Sequence, residues 1–157
     1  MLATLEAGKG ASGVSINRQG TLGLVSNLVD GTVSVFTIQG KTVTPAGTVE
    51  VGGEKASGGM VAITPDGKTA LVPRNNDNKV SVLSIDGTKV EYTKRDMTPG
   101  LRPLVMDVAC TGAFAVVGHL AGWAHRRQRR GDNDGPDGQA AAGRRRRGAS
   151  AARRPRG

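Results

Sequence analysis

The sequence predicts an all-β chain built from repeated units of four short antiparallel strands. Three observations carry that expectation: a repeat with a period in the mid-forties, apolar residues at every second position within it, and glycine turns at matching places in successive copies. VSVFTIQGKTV (33–43) lies over VSVLSIDGTKV (80–90), an offset of 47 residues. The register is sustained, with Val14 on Val61, Ile16 on Ile63, Gly20 on Gly67, Val25 on Val72, Gly40 on Gly87 and Val43 on Val90. A third copy opens with VMDVACTGAFAVVGH, where Gly67 passes to Gly112 at an offset of 45. Units of this kind hide their apolar faces against one another.

In the first copy the strands are expected at about 13–17, 22–26, 32–38 and 42–50. Val33 and Val35 alternate with Ser34, as do Val80 and Val82 with Ser81, the pattern of a strand with one buried face. The intervals hold turn chemistry. TPDG (64–67) offers a proline where φ near −65° is needed and a glycine where φ turns positive. IQGK (38–41) and IDGT (85–88) place glycine where a hairpin reverses. Glycine, threonine and valine dominate and no 3.6-residue spacing persists, so helix is not expected.

Four antiparallel strands in a unit of about 40–50 residues make a propeller blade. The segments VAITPDGKTALVPRN (61–75) with KVSVLSIDG (79–87), and VSINRQGTLGLVSN (14–27) with TVSVFTIQG (32–40), resemble the YVTN-type repeats of lactonase-like, surface-layer-associated seven-bladed propeller proteins. Leu24 and Leu71 stand where that pattern has tyrosine, and Pro73-Arg74 replaces its Thr-Asn. The resemblance covers residues 1–119 and implies the fold, a bacterial origin, a periplasmic or secreted location and, for some members, hydrolysis of a sugar lactone. It divides the chain into a blade end (1–10), a blade (11–57), a second blade (58–102), a partial blade (103–119) and a basic tail (120–157). TLEAG (4–8) resembles TVEVG (48–52), so the chain is expected to open in the outer strand of a preceding blade. About two and a half blades do not close a ring, which takes about 4–8. The chain therefore reads as a fragment, or as a piece that assembles with copies of itself.

The formal charge of +9 is localised. From His119 onward there are eleven arginines and three aspartates, which leaves eleven basic and ten acidic residues for the first 118 positions. An arginine arm of this kind could neutralise phosphates, but its one aromatic residue, Trp123, gives no stacking platform. Its composition also fits a solvated, disordered tail. A third reading follows from the genetic code. Omitting the first nucleotide of the Asp132 codon permits the string T-M-T-V-L-T-V-K for residues 132–139, parallel to TVSVFTIQ (32–39). The tail is accordingly read as out-of-frame translation from near residues 119–125, and nucleic acid is a partner only if the tail is genuine.

Chemistry-bearing constellations are sparse. Cys110 reads as a small buried hydrophobe in an apolar alternation, and Cys110, His119 and His125 match no zinc spacing. His119 reads as a loop residue. The glycine-rich stretches GKGASG (8–13) and GGEKASGG (52–59) precede strands, whereas a phosphate cradle needs a helix behind it. No Ser-His-Asp or Cys-His arrangement is legible. No catalytic residue, metal or cofactor is assigned, no run approaches the roughly 18–20 apolar residues of a membrane span, and no secretory signal pattern opens the chain. If the propeller binds a small molecule or a protein, the expected place is its rim, at Asn27, Asp30, Lys55, Arg74, Asn75, Asp77 and Arg102, with the two arginines facing an anionic group.

Three functions are compatible with this reading: a binding or interaction module without catalysis, part of a sugar-lactone hydrolase, or a truncated product with no role of its own. The tail has a direct test. Resequencing the gene with its flanking bases is expected to give a +1 frame that continues beyond residue 119 as strand–turn–strand repeats. A +1 frame full of stops overturns the out-of-frame reading.

Overall fold

The computed structural model describes residues 4–53 and 58–120. Among these residues every regular element is a strand. The first sheet comprises β1 (Ala11–Ile16), β2 (Leu22–Asn27), β3 (Thr32–Gln39) and β4 (Thr42–Glu50). The second comprises β5 (Ala62–Ile63), β6 (Thr69–Arg74), β7 (Lys79–Asp86) and β8 (Lys89–Met97). A third sheet pairs β9 (Pro103–Val108) with β10 (Ala115–His119). Each four-stranded sheet is an antiparallel meander in chain order, the arrangement of a propeller blade.

The strand alternation assigns every side chain to one of two faces. In β2 and β3, Leu24 lies opposite Val35 and Ser26 opposite Val33, which puts these four on one face. In the second blade, Ala70 lies opposite Leu83 and Val72 opposite Ser81, on the face that meets the first blade. Leu22, Leu24, Val33 and Val35 thus pack against Ala70, Val72, Leu83 and Ile85 in one buried cluster. The contact repeats one blade on: Leu71 and Val80, on the second blade's other face, pack with Met106, flanked by Val82, Val108 and Val117. Fully burying a leucine or valine in such a seam contributes about 1.5–3 kcal/mol.

The turns carry the chemistry their sequences imply. In TPDG, Gly67 has φ of +70°, Thr64 Oγ1 donates to Asp66 Oδ1 at 2.6 Å, and the Lys68 N–H donates to the same oxygen at 3.0 Å. Those bonds hold the exposed Asp66 carboxyl below the usual carboxylate range, the Thr64 hydroxyl being the larger cause. At the other end of the first sheet Gly31 has φ of +63°, and a Cβ placed there would lie 1.9 Å from the Gly53 carbonyl oxygen. The β2–β3 link and the inter-blade link touch backbone to backbone, which only glycine permits.

The second blade departs from the first in one strand, and two sequence expectations need correction. The second blade's first strand is two residues long, against six in the first, because Pro73 has no N–H to donate at the position where Ser26 pairs with Gly13. Met60 instead donates to the Leu104 carbonyl of the next sheet at 2.8 Å. Cys110 is exposed, since the alternation of β9 ends at Val108 and the turn begins beyond it. His119 is the last residue of β10 and its Nδ1 lies 2.9 Å from the Leu101 carbonyl oxygen, so it belongs to a strand end. Lys55 and the arginine-rich tail lie outside the described residues.

Leu24, fully buried in the seam between the two blades, supports a quantitative expectation. Leu24→Ala is expected to lower the unfolding free energy by about 2–5 kcal/mol in urea titrations, whereas Ile16→Ala, at a position 58% exposed, is expected to change it by less than about 1 kcal/mol.

Candidate functional site

In a meander of this order, the second-to-third-strand links and the inter-blade links share one end of each sheet. The contacts there bear this out: the Val51 N–H donates to the Gly31 carbonyl at 3.0 Å, the Lys9 N–H to Asp30 Oδ2 at 2.7 Å, and the Arg102 N–H to Asn78 Oδ1 at 2.7 Å. Asn27, Asp30, Arg74, Asn75, Asp77 and Arg102 all lie at this end.

The two positions at the end of the second strand, Asn27 and Arg74, turn inward. Asn27 is fully buried; its Nδ2 donates to Thr32 Oγ1 at 2.9 Å and to Ser34 Oγ at 3.0 Å, and its Oδ1 has no hydrogen-bond partner. Arg74 is 8% exposed and its guanidinium is shared among neighbours of its own blade. Nε donates to Asp77 Oδ1 at 3.2 Å and Nη2 to Asp77 Oδ2. Nη1 lies 3.3 Å from each of Ser81 Oγ, Tyr92 OH and Asp96 Oδ2. Ser81 and Tyr92 both donate to Asp96 Oδ1, at 2.9 and 2.6 Å, and Lys79 Nζ lies 3.4 Å from Oδ2. Burial alone would raise the Asp96 carboxyl, but the bonds from Tyr92 and Ser81 and the Arg74 charge outweigh it and hold the group below the usual range. Burial and the Asp96 partner together push the Tyr92 hydroxyl up.

The expectation that Arg74 faces an anion at the rim is therefore revised: its charge is met inside the blade by Asp77 and Asp96. Asn75, 4% exposed, is a joint between sheets, with Nδ2 at 3.4 Å from the carbonyls of Arg102 and Pro103 and Oδ1 at 3.4 Å from Arg102 Nε and Nη2. Arg102 is exposed, and of the two arginines it is the one that reaches the surface. It adopts φ of +53°, fixed by the bond to Asn78.

A second feature was not singled out by the sequence. The inner strands β1, β5 and β9 bound a concave cleft of about 540 Å³, lined by Val14, Ser15, Met60, Ile63, Asp107 and Val116 among others. Ser15 Oγ accepts the Ile63 N–H at 3.2 Å, linking the two inner strands. Asp107 presents an exposed carboxylate to the cleft, one of its oxygens accepting the Val108 N–H at 2.8 Å. The repeat offsets place Ser15, Ala62 and Asp107 at one equivalent position on successive inner strands, a signal that was readable in the sequence. Among the described residues no group of three or more histidine, cysteine or carboxylate side chains is placed to hold a metal ion. Among the same described residues no helix is long and apolar enough to cross a membrane.

A candidate 6-phosphogluconolactonase from Bacteroides fragilis superposes with a TM-score of 0.67 at 18% identity, over 74% of this chain and 34% of that one. The chain has the β-propeller fold. The periplasmic gluconolactonase of Pseudomonas aeruginosa matches at TM-score 0.56 and 17% identity, over 66% of this chain and 31% of that one. The β-propeller domain of Cps50 from Myceliophteria thermophila matches at 0.52 and 18%, over 68% of this chain and 31% of that one. The chain thus spans about one third of the length of these propellers. No protein-family model and no curated protein matches the sequence.

The Arg74–Asp96 network makes stability depend on pH. A carboxyl held below its unfolded value of about 3.9 contributes fully above that pH and loses its contribution as pH falls through the lower folded value. Arg74→Met strands Asp96 and Asp77 and is expected to cost about 1–3 kcal/mol at neutral pH. The same substitution combined with Asp96→Asn is expected to recover part of that loss and to flatten the acid limb of thermal melts below about pH 4.

Proposed function

We propose that this propeller segment acts as a binding wall, holding a small polar ligand or a protein partner against its inner strands without supplying catalysis. The observation that carries the reading is the division of labour among polar side chains. Arg74, Asp77, Asp96 and Asn75 are bonded to one another and to backbone, so they hold the sheets. The inner-strand cleft joins apolar walls to two polar positions, Ser15 and Asp107, the mixture that ligand pockets use for affinity and orientation. Arg102 adds a surface cation at the rim.

The lactonase-like neighbours favour a second reading, in which the segment is part of an enzyme that opens a sugar lactone. In that case Asp107 is the carboxylate placed to orient a water or a sugar hydroxyl at the channel wall. Fold likeness at this identity is an analogy and not a mechanism.

Glucono-δ-lactone and gluconate, titrated into isotope-labelled chain, separate the two. The binding reading expects NMR shift changes at Ser15, Met60 and Asp107, weakened by Asp107→Ala, with the lactone opening at its uncatalysed rate. Accelerated opening that disappears in Asp107→Asn supports the enzyme. No shift change with either sugar, and none with a protein partner, removes the binding reading for this chain.

A further inference from the structure

The cleft along the inner strands carries a charge that the fold does not use. It opens over the free edge of β5: Met60, Val61, Ala62 and Ile63 are consecutive, all four line it, and β5 pairs with β6 alone. The second blade has a sheet on each side, so the cleft belongs to the joint of three sheets and not to a face at either end of the chain. Its walls are apolar apart from Ser15 and Asp107. Ser15 Oγ is engaged, accepting the Ile63 N–H at 3.2 Å. Among the described residues that line the cleft, Asp107 is the one charged side chain, with no lysine, arginine or histidine beside it.

The repeat shows which part of Asp107 serves the structure. Ser15 of the first blade satisfies the Ile63 N–H of the second. One repeat on, at the offset of 45, Ala62 stands in the place of Ser15 and Val108 in the place of Ile63. Ala62 has no side-chain oxygen, and the Val108 N–H donates instead to Asp107 Oδ1 at 2.8 Å. A neutral amide oxygen would accept that bond equally, so the charge of Asp107 is not required by it. Among the described residues the carboxylate is in none of the ion pairs. Apolar walls lower the local dielectric and strengthen the attraction of such a group for a cation. The rest of the chain does not supply that preference: its formal charge is +9.

We infer that the ligand of this cleft is a small organic cation with an apolar body, its ammonium or guanidinium group on Asp107 and its body along Met60, Ile63 and Val116. The inference rests on the binding-wall reading above and narrows its ligand from a polar molecule to a cation. Charge complementarity carries it. An anion such as a sugar acid would meet the Asp107 carboxylate with no cation in the lining to offset the repulsion. A neutral polyol would leave the apolar walls without a partner. The volume of about 540 Å³ is that of a site for a small molecule.

The test titrates hexylammonium, 1-hexanol and hexanoate, one body with three charges, into the isotope-labelled full chain at about 0.01 M salt, where charges act over about 30 Å. NMR shifts at Ser15, Met60 and Asp107 read the site. Hexylammonium is expected to bind about fivefold tighter than hexanol, and hexanoate more weakly than either. Asp107→Asn, which keeps an oxygen for the Val108 N–H, is expected to bring hexylammonium down to the level of hexanol. Raising the salt to about 0.5 M is expected to weaken hexylammonium and not hexanol, a readout on the unaltered chain that holds even where the variant fails to fold. Hexanol or hexanoate binding as tightly as hexylammonium overturns the inference and leaves the binding wall standing, as does an Asp107→Asn chain that holds hexylammonium undiminished. Shift changes with none of the three also overturn it, and the binding wall is then decided by the sugars and the protein partner alone.

Discussion

The structure rests on one constraint: a four-stranded sheet of this repeat has two faces that both need a neighbour. Leu24 and Val35 on one side of the first sheet, and Val25 and Phe36 on the other, leave no solvated face on its middle strands. Sheets with one wet face show polar residues at every second position. Here the second positions are glycine, serine, valine and phenylalanine. The seam between the first and second blades satisfies one face of each, and its residues are small enough for the sheets to approach closely. From this follow the near-constant period, the glycine at the touching links and the radial order of strands. The outer strand β4 shows the contrast: nearly all of its residues are exposed, and it tolerates Pro45 because an outer strand has no further ladder to supply.

The end of the second strand buries a polar side chain in both four-stranded blades, and the two solve this differently. The first uses the neutral Asn27, held by two hydroxyls, and leaves Oδ1 unpartnered, an omission that costs about 1–3 kcal/mol. The second uses the charged Arg74, which costs more to desolvate but gains Asp77, Ser81, Tyr92 and Asp96 in return. Serine at the matching position of the third strand, Ser34 or Ser81, serves both. A charged network of this kind fixes geometry more than it adds stability, since the attraction between its members offsets their lost hydration. Its functional consequence is that the rim's most conspicuous cation is withdrawn from solvent.

The strands were legible because they obey a period of two and the turns carry their own chemistry; the first blade's four strands fall within two residues of the expected limits. The direction of Arg74 was also encoded, since it shares a face with Val72 two residues earlier. What hid it was the habit of long cationic side chains to reach solvent, together with partners that arrive 18 and 22 residues later on an outer strand. Cys110 misled for the opposite reason, because an apolar alternation reads on past the residue where the strand ends. Asp107 was passed over as the polar half of an alternation. Its significance depends on knowing that β9 is an inner strand bordering a cleft, and the order of strands about an axis is a property of the whole ring.

That last point bears on what such a segment can do. A ligand site gains affinity by burying most of its ligand, some 70–90% of the surface for a drug-sized molecule. Three inner strands provide one wall of a channel, so a ligand resting on Ser15 and Asp107 keeps much of its surface in water. Its contacts must also offset the loss of translational freedom on binding. Additional blades would change both quantities together, by facing the cleft with further inner strands and by covering the valines that border it. Binding and the covering of the cleft are therefore coupled: Val116 lines the cleft and is 63% exposed, so whatever covers it also closes the site. A ligand that bridges the inner strands of neighbouring blades stabilises the covered form by its differential affinity, and covering raises the affinity for that ligand by the same factor.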